Sequence, residues 1–365
     1  MAHAEADVGD LRTILSRFGG PSLWRLTQMR LRELAREPGT LFWIFAFPLL
    51  LTLGLGLAFR GASGARPAVG VVAPFPEPWA AAIGAAGFPV RRASEAEARR
   101  ALATGALALA VFALPPGARA DAAVRYAFDP MRPGARLARL EVDRALQRAW
   151  GRVDPVAVRD ERQSTPGTRY VDFLVPGLIG MNVMQGSLWG VGWAIVNLRV
   201  RKLLKRLRAT PMRRAELLVA FMLARLVVVP IETTTLLVFA RLVFGVRVAG
   251  SLPALAAVAT LGALSFGGLA ILVASRAQNV ETVTGLINTV MIPMFITSGI
   301  FFSNAHFPTV LQPLIAALPL SALNQALRAV AIDGAGLAAL ASPCAILLVW
   351  GALGYAVGLR AFRWA

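Results

Sequence analysis

The sequence predicts an α-helical integral membrane protein, with six transmembrane helices and an α/β extracytoplasmic domain between helices 1 and 2. Three observations predict it. Of 365 residues, 56% are hydrophobic and only 16% charged, well below the quarter or so that soluble domains carry. The apolar residues collect in runs of roughly 20, the length needed to cross a hydrocarbon core ~30 Å thick at ~1.5 Å per helical residue. The 38 Lys+Arg, against 20 Asp+Glu, concentrate between those runs. That scatter argues against the nucleic-acid partner that a net charge of +18 would otherwise suggest.

Residues 1–40 are predicted as a cytoplasmic amphipathic interface helix. Leu11, Ile14, Leu15 and Phe18 follow i, i+3, i+4, i+7 spacing, and beyond Pro21 the pattern resumes with Trp24, Leu31 and Leu34, with arginines on the other face. Pro38 and Gly39 separate it from transmembrane helix 1, residues 41–59. The first apolar run is a full span after a polar start, so no cleavable leader is expected. Residues 60–170 form the extracytoplasmic domain, with strands at 68–72, 106–112 and 124–128 and helices at 78–86, 94–104 and 134–150. Leu137, Leu140 and Leu146 are the expected apolar stripe of the last helix. The block carries 17 arginines against ten acids, yet at about 110 residues it is long enough to be translocated despite that charge.

Residues 171–365 hold the other five helices, at 173–198, 217–244, 253–274, 282–302 and 337–359. The loop 197–214 carries eight Lys and Arg and no acid. With the basic N-terminal segment, Arg276, Arg360 and Arg363, it falls on one side of the membrane if both termini are cytoplasmic. Within it, residues 199–210 read as a short basic helix with Leu198, Leu203, Leu204 and Leu207 on its apolar side. Thr210-Pro211 ends that helix, because proline disfavours helix in the preceding residue. Residues 304–333 are apolar but interrupted by Pro308, Pro313 and Pro319. Irregular backbone is excluded from lipid unless protein or water satisfies it, so short re-entrant helices at the outer leaflet are expected.

Some polar groups fall inside the runs. Arg225 and Glu232 lie seven residues apart, two turns along one helix face and about 10 Å between Cα atoms. Buried pairing, or outward snorkelling by Arg225, is expected. Gly177, Gly180, Gly186, Gly190 and Gly192 permit close helix contact. Catalytic chemistry finds few parts. The single cysteine, Cys344, excludes an intrachain disulfide and a Cys-rich zinc site. With two histidines, His3 and His306, no His-based triad or metal centre is expected. No G-x-x-x-x-G-K-[ST] occurs, so the chain lacks the backbone cradle that holds nucleotide phosphates.

Two stretches carry a resemblance. The first is Leu207 to Glu216 followed by Leu217, Leu218 and the in-span Arg225. The second is Ile292 to Phe302, then Phe307-Pro308, Leu311, Pro313, Leu318-Pro319-Leu320 and Ala326-Leu327-Arg328. Together they resemble the ABC-2 type transporter permease family, the membrane-spanning subunits of drug- and lipid-exporting ABC transporters, over residues 11 to 363. The resemblance implies a permease and not an enzyme, forming a homodimer or pairing with a related permease. A separate ABC ATPase subunit would bind ATP and Mg, and this chain would hold no cofactor of its own. Membrane lipid and a hydrophobic or amphipathic substrate are the other implied partners, and the plasma membrane, the inner membrane of a bacterium, is the expected location. It implies ATPase coupling through Arg201, Leu203, Leu204, Lys205, Leu207, Thr210, Pro211 and Glu216. The substrate pathway is expected at Asn182, Gln185, Asn288, Thr289, Arg225 and Glu232, and an outer gate at Ser298, Gly299, Phe301, Pro308 and Pro319. Two other readings compete: a membrane-anchored scaffold, and an ATP-independent carrier, in either case with an outer domain that binds a partner.

Overall fold

The computed structural model describes residues 21–60, 66–113, 124–130, 132–153, 169–204, 214–301, 304 and 307–362. Leu11 to Phe18, both histidines, Lys205, Leu207, Thr210 and Pro211 lie outside the described residues. The chain divides into two compact units, residues 61–163 and the remainder.

In the larger unit, helix α1 (Pro21–Arg36) turns a continuous row inward. Leu23, Leu26, Thr27, Arg30, Leu31 and Leu34 are buried or half-buried, at i, i+3, i+4, i+7, i+8 and i+11. The expected pattern included Trp24, which is instead 63% exposed; one residue past Leu23 is a rotation of about 100°, off the packing row. Arg30, expected on the polar face, lies in that row. Glu37 is extended, and Pro38 then opens α2 (Pro38–Phe59) in its first turn, where a missing N–H costs nothing. Residues Phe42–Ala46 of α2 form a π turn.

The smaller unit is a four-stranded sheet with helices on both faces. Its elements are β1 (Val69–Val72), α3 (Glu77–Ala85), β2 (Val90–Ala93), α4 (Glu95–Thr104), β3 (Leu109–Ala113), β4 (Val124–Phe128) and α5 (Pro133–Ala149). The strand order is β2-β1-β3-β4, parallel except for β4, which runs antiparallel to β3. Alternation on β1 and β3 sends Val69, Val71, Leu109 and Val111 to a core with Ile83, Ala138, Val142 and Leu146. Val72, Ala110 and Phe112 go to the other face, against Ala98 of α4. Helix α4 begins with a capping box: Glu97 N–H donates to Ser94 Oγ at 3.4 Å, and Ser94 N–H donates to the Glu97 carboxylate at 2.9 Å. The predicted stripe of α5 is corrected. Ala135, Ala138, Val142 and Leu146 are buried, while Leu137 is 62% and Leu140 52% exposed. Small alanines let α5 approach the sheet closely, and that leaves the larger leucines on its outer side. Strand β2 carries Arg91 and Arg92 in an otherwise short segment, and no apolar run marks it in the sequence.

The larger unit resumes with α6 (Tyr170–Ser187), a second π turn (Leu188–Trp193) and α7 (Ala194–Val200). Then come α8 (Arg214–Phe244), α9 (Leu252–Arg276), α10 (Val280–Thr297), the short α11 (Gln312–Ala316), α12 (Pro319–Ala331), a 3₁₀ turn (Leu337–Leu340) and α13 (Ala341–Ala361). Five helices among the described residues are long and apolar enough to cross a membrane: α2, α8, α9, α10 and α13 with its preceding turn. The expected second span, α6 to α7, is helical but is not among the five. Asp172, Pro176, Asn182, Gln185 and its glycines dilute its apolarity, and it compensates by burial: most of α6 faces other helices. The predicted fifth span ends earlier than residue 302, because α10 stops at Ser298 and Gly299 takes φ 71. Pro313 and Pro319 open α11 and α12 in their first turns. Helix α12 is buried along most of its length, from Leu320 to Ala331.

Helices α9 and α13 pack most extensively. Gly351, Gly354 and Gly358 line the inner face of α13. A Cβ at Gly354 would lie 2.7 Å from the Leu269 nitrogen and one at Gly358 2.9 Å from that of Leu272. Hydrogen at those positions is what lets the two backbones touch.

Candidate functional site

The polar groups of the helical unit meet at α6. Arg225 and Glu232 of α8 are 4% exposed each and form an ion pair, with a second contact at 3.3 Å. Arg225 does not snorkel. Its Nη2 also donates to the Asn182 carbonyl at 3.0 Å and the Val183 carbonyl at 3.4 Å, and its Nε to Ser187 Oγ at 3.4 Å. A buried charge is tolerable only when paired and surrounded by such partners. The guanidinium occupies the space a side chain at Gly186 would need. Asn182, whose carbonyl accepts from Arg225, donates through Nδ2 to the Ile44 carbonyl in the π turn of α2 at 3.1 Å.

The π turn of α6 is held in the same way. Arg30 of α1 donates to the Gly190 carbonyl at 2.9 Å, pairs with Glu33 at 2.7 Å, and lies over the Phe221 ring at 4.9 Å. A π turn widens the helix and disturbs its regular bonding. In both of these turns a side chain from another helix supplies a donor. Asn182 is thus the node of a polar path from α8 through α6 to α2, and Arg30 ties α1 to the π turn that follows α6.

Not all expected pathway residues join this network. Gln185 is half-buried on α6. Asn288 and Thr289 lie on α10, half-buried and exposed, and Thr289 donates within its own helix to Gly285.

The Ser298-Gly299 turn is pinned by α12. Asn324 Nδ2 donates to the Ser298 carbonyl at 3.2 Å. Arg328 donates to the Gly299 carbonyl and to that of Phe173 at 3.4 Å, with its guanidinium 3.7 Å from the Phe173 ring centre. Both residues fill the groove that Gly177 and Gly180 leave open on α6. Ser298 and Pro319 are buried, Phe301 is half-buried and Pro308 exposed. Asn324 is fully buried. The sequence reading does not single it out, although an amide three residues after Ser321 and four before Arg328, in a mostly apolar stretch, is the signal that marks it.

At the expected coupling segment, α7 ends and the chain turns through Arg201-Lys202, with Lys202 at φ 57. A helix therefore cannot run unbroken from residue 199. Arg201 is exposed, Leu203 half-buried and Leu204 buried. Glu216 is buried in the first turn of α8, where a carboxylate complements the helix dipole. Arg199 does not face outward as Arg201 and Lys202 do. It donates to the Ala274 carbonyl at 2.8 Å and to that of Ala277, closing the C-terminal end of α9, and lies 5.2 Å from the Phe362 ring centre. No group of three or more His, Cys, Asp or Glu among the described residues is placed to hold a metal.

Several apolar helices, a charged pair sealed inside them and a buried helix that pins the Ser298-Gly299 turn describe a multi-pass membrane protein. The ABC-2 type transporter family model matches residues 145–332, just over half of the chain. The chain belongs to that family: it is a permease component of an ABC transporter and not itself an enzyme, and the family generally works with an ATPase subunit. No curated protein matches it.

Proposed function

We propose that this chain is the membrane-spanning half of an ABC exporter, moving a hydrophobic or amphipathic molecule out of the cytoplasm or inner leaflet with ATP hydrolysed on a separate subunit. In this reading six helices span the bilayer, α6–α7 included, both termini are cytoplasmic in a bacterial inner membrane, residues 61–163 lie outside, and two copies enclose the pathway. Closure of the ATPases reaches the bundle through α1 and the basic segment 199–213. One observation carries the reading: Arg30 of α1 is buried against α8 and bonded to the π turn of α6, so displacement of the interface helix pulls on the helix that holds Asn182. The Ser298-Gly299 turn and α12 form the outer gate, and Arg225 with Glu232 keeps α6 and α8 moving as one.

Co-reconstitution with the partner ATPase tests this. Leu203→Glu with Leu207→Glu should abolish substrate-stimulated ATPase activity while leaving membrane insertion intact, and Arg30→Ala should uncouple ATP hydrolysis from transport. Flux that persists without ATP, or coupling unchanged in both variants, would overturn the reading.

A further inference from the structure

One feature of α8 has no part in the buried network. Its inner face carries Arg225, Glu232, Leu236 and Ala240, all buried. Its outer face from Pro230 to Leu242, together with Leu49 of α2, lines an open groove of about 650 Å³, with Ile231, Thr234, Val238 and Leu242 along its floor. The lining is overwhelmingly apolar, and Leu242 is 78% exposed. Helix α8 has 31 residues, roughly 46 Å at ~1.5 Å each, against a hydrocarbon core of about 30 Å. Centred in the bilayer, it emerges by about 8 Å at each end. The groove then runs from mid-membrane, at Pro230, to the boundary of one leaflet, twelve residues or about 18 Å away.

At that boundary the chemistry changes sign. Arg241 is three residues beyond Val238 and seven beyond Thr234, on the groove's side of the helix, and it is exposed. Arg247, just past the helix, is exposed too. Arg169 caps the same end, donating to the Phe244 carbonyl at 2.8 Å, and the acid beside it, Asp172, is already paired with it at 2.9 Å. A shallow apolar groove one leaflet long, ending in excess positive charge at headgroup depth, matches one ligand class.

We propose that the α2–α8 groove is a binding site for an anionic phospholipid of the bilayer. One acyl chain lies along Thr234, Val238 and Leu242, and the phosphate sits against Arg241 and Arg247. The lipid is a resident of this site, distinct from any transported molecule, so the site stands or falls independently of the export reading.

The test uses the full chain purified in neutral detergent and exchanged into defined lipid. Native mass spectrometry with phosphatidylglycerol and phosphatidylcholine should show one phosphatidylglycerol retained per chain in preference to phosphatidylcholine. Arg241→Gln with Arg247→Gln should lower that preference about five-fold per arginine, as the attraction of a basic residue to an anionic surface implies. Equal retention of the two lipids, or a preference unchanged in the double variant, would overturn the proposal. A measurement on the unaltered chain guards against a variant that fails to fold. Phosphatidylglycerol with a photoreactive acyl chain should cross-link to peptides covering residues 230–242, and cross-links confined to other helices would refute the site. So would efficient disulfide formation between copies carrying Val238→Cys in a Cys344→Ala background, because a second copy would then fill the groove.

Discussion

With five N–H donors in a rigid fork, the Arg225 guanidinium serves four acceptor groups at once: the Glu232 carboxylate, the Asn182 and Val183 carbonyls, and Ser187 Oγ. Removing it strands a carboxylate. Arg225→Met should therefore cost about 3–5 kcal/mol, whereas Arg225→Met combined with Glu232→Leu should recover most of the loss. Thermal unfolding in detergent followed by size exclusion measures both, and a single variant as stable as the parent would contradict the account. In the sheet unit, hydrogen bonds from the Ser94 backbone and side chain hold the Glu97 carboxyl below its usual range. A carboxyl depressed in the folded state stabilises at pH above its unfolded value, and that contribution is lost as pH falls through the folded value. Protection against hydrogen exchange across residues 95–104, taken relative to the intrinsic rate at each pH, should fall on acidification, and Ser94→Ala should lower the neutral-pH protection and flatten that acid dependence. Residues such as these are only partly legible beforehand. The seven-residue spacing of Arg225 and Glu232 announces a shared face, but which carbonyls receive the remaining donors depends on a neighbouring helix that sequence spacing does not specify. Arg30 was hidden more completely: an arginine on an amphipathic helix reads as a solvated charge unless the row Leu23, Leu26, Thr27, Leu31 and Leu34 is seen to pass through it.

Among the elements, length made the long helices legible, because runs near 20 uncharged residues admit few other structures. Where length is short and composition mixed, the reading fails. Helix α5 hides its buried stripe because alanine contributes little to an apolar pattern while leucines draw the eye. The π turns in α2 and α6 leave no compositional trace, since they differ from α-helix by bonding register alone. Packing between elements is easier to forecast once seen. Gly354→Leu should separate α9 from α13 at Leu269, costing upwards of about 1–3 kcal/mol as overpacking does, with loss of folded yield as the readout. Equal yield would mean the two helices can slide to accommodate it.

For the whole molecule, the positive-inside pattern and the family assignment agree on a multi-pass chain, and topology is open to a direct experiment. In a Cys344→Ala background, Leu140→Cys on the exposed side of α5 should react with an impermeant maleimide in intact cells, while Arg201→Cys should react only after permeabilisation. Labelling of both from the same side would invert or break the arrangement. The π turn of α6 carries a further consequence at this scale, one concerned with insertion and deletion. A π turn holds one residue more than the α-helix it interrupts, so deleting a single residue within Leu188–Trp193 would let the helix regularise with both flanks kept in phase. The same deletion in the regular helix that follows, Ala194–Val200, would rotate everything beyond it by about 100° relative to everything before. Arg199 would then swing off the end of α9. A frame-preserving deletion of one codon within Leu188–Trp193 should thus be tolerated better than deletion of Ile195 or Val196.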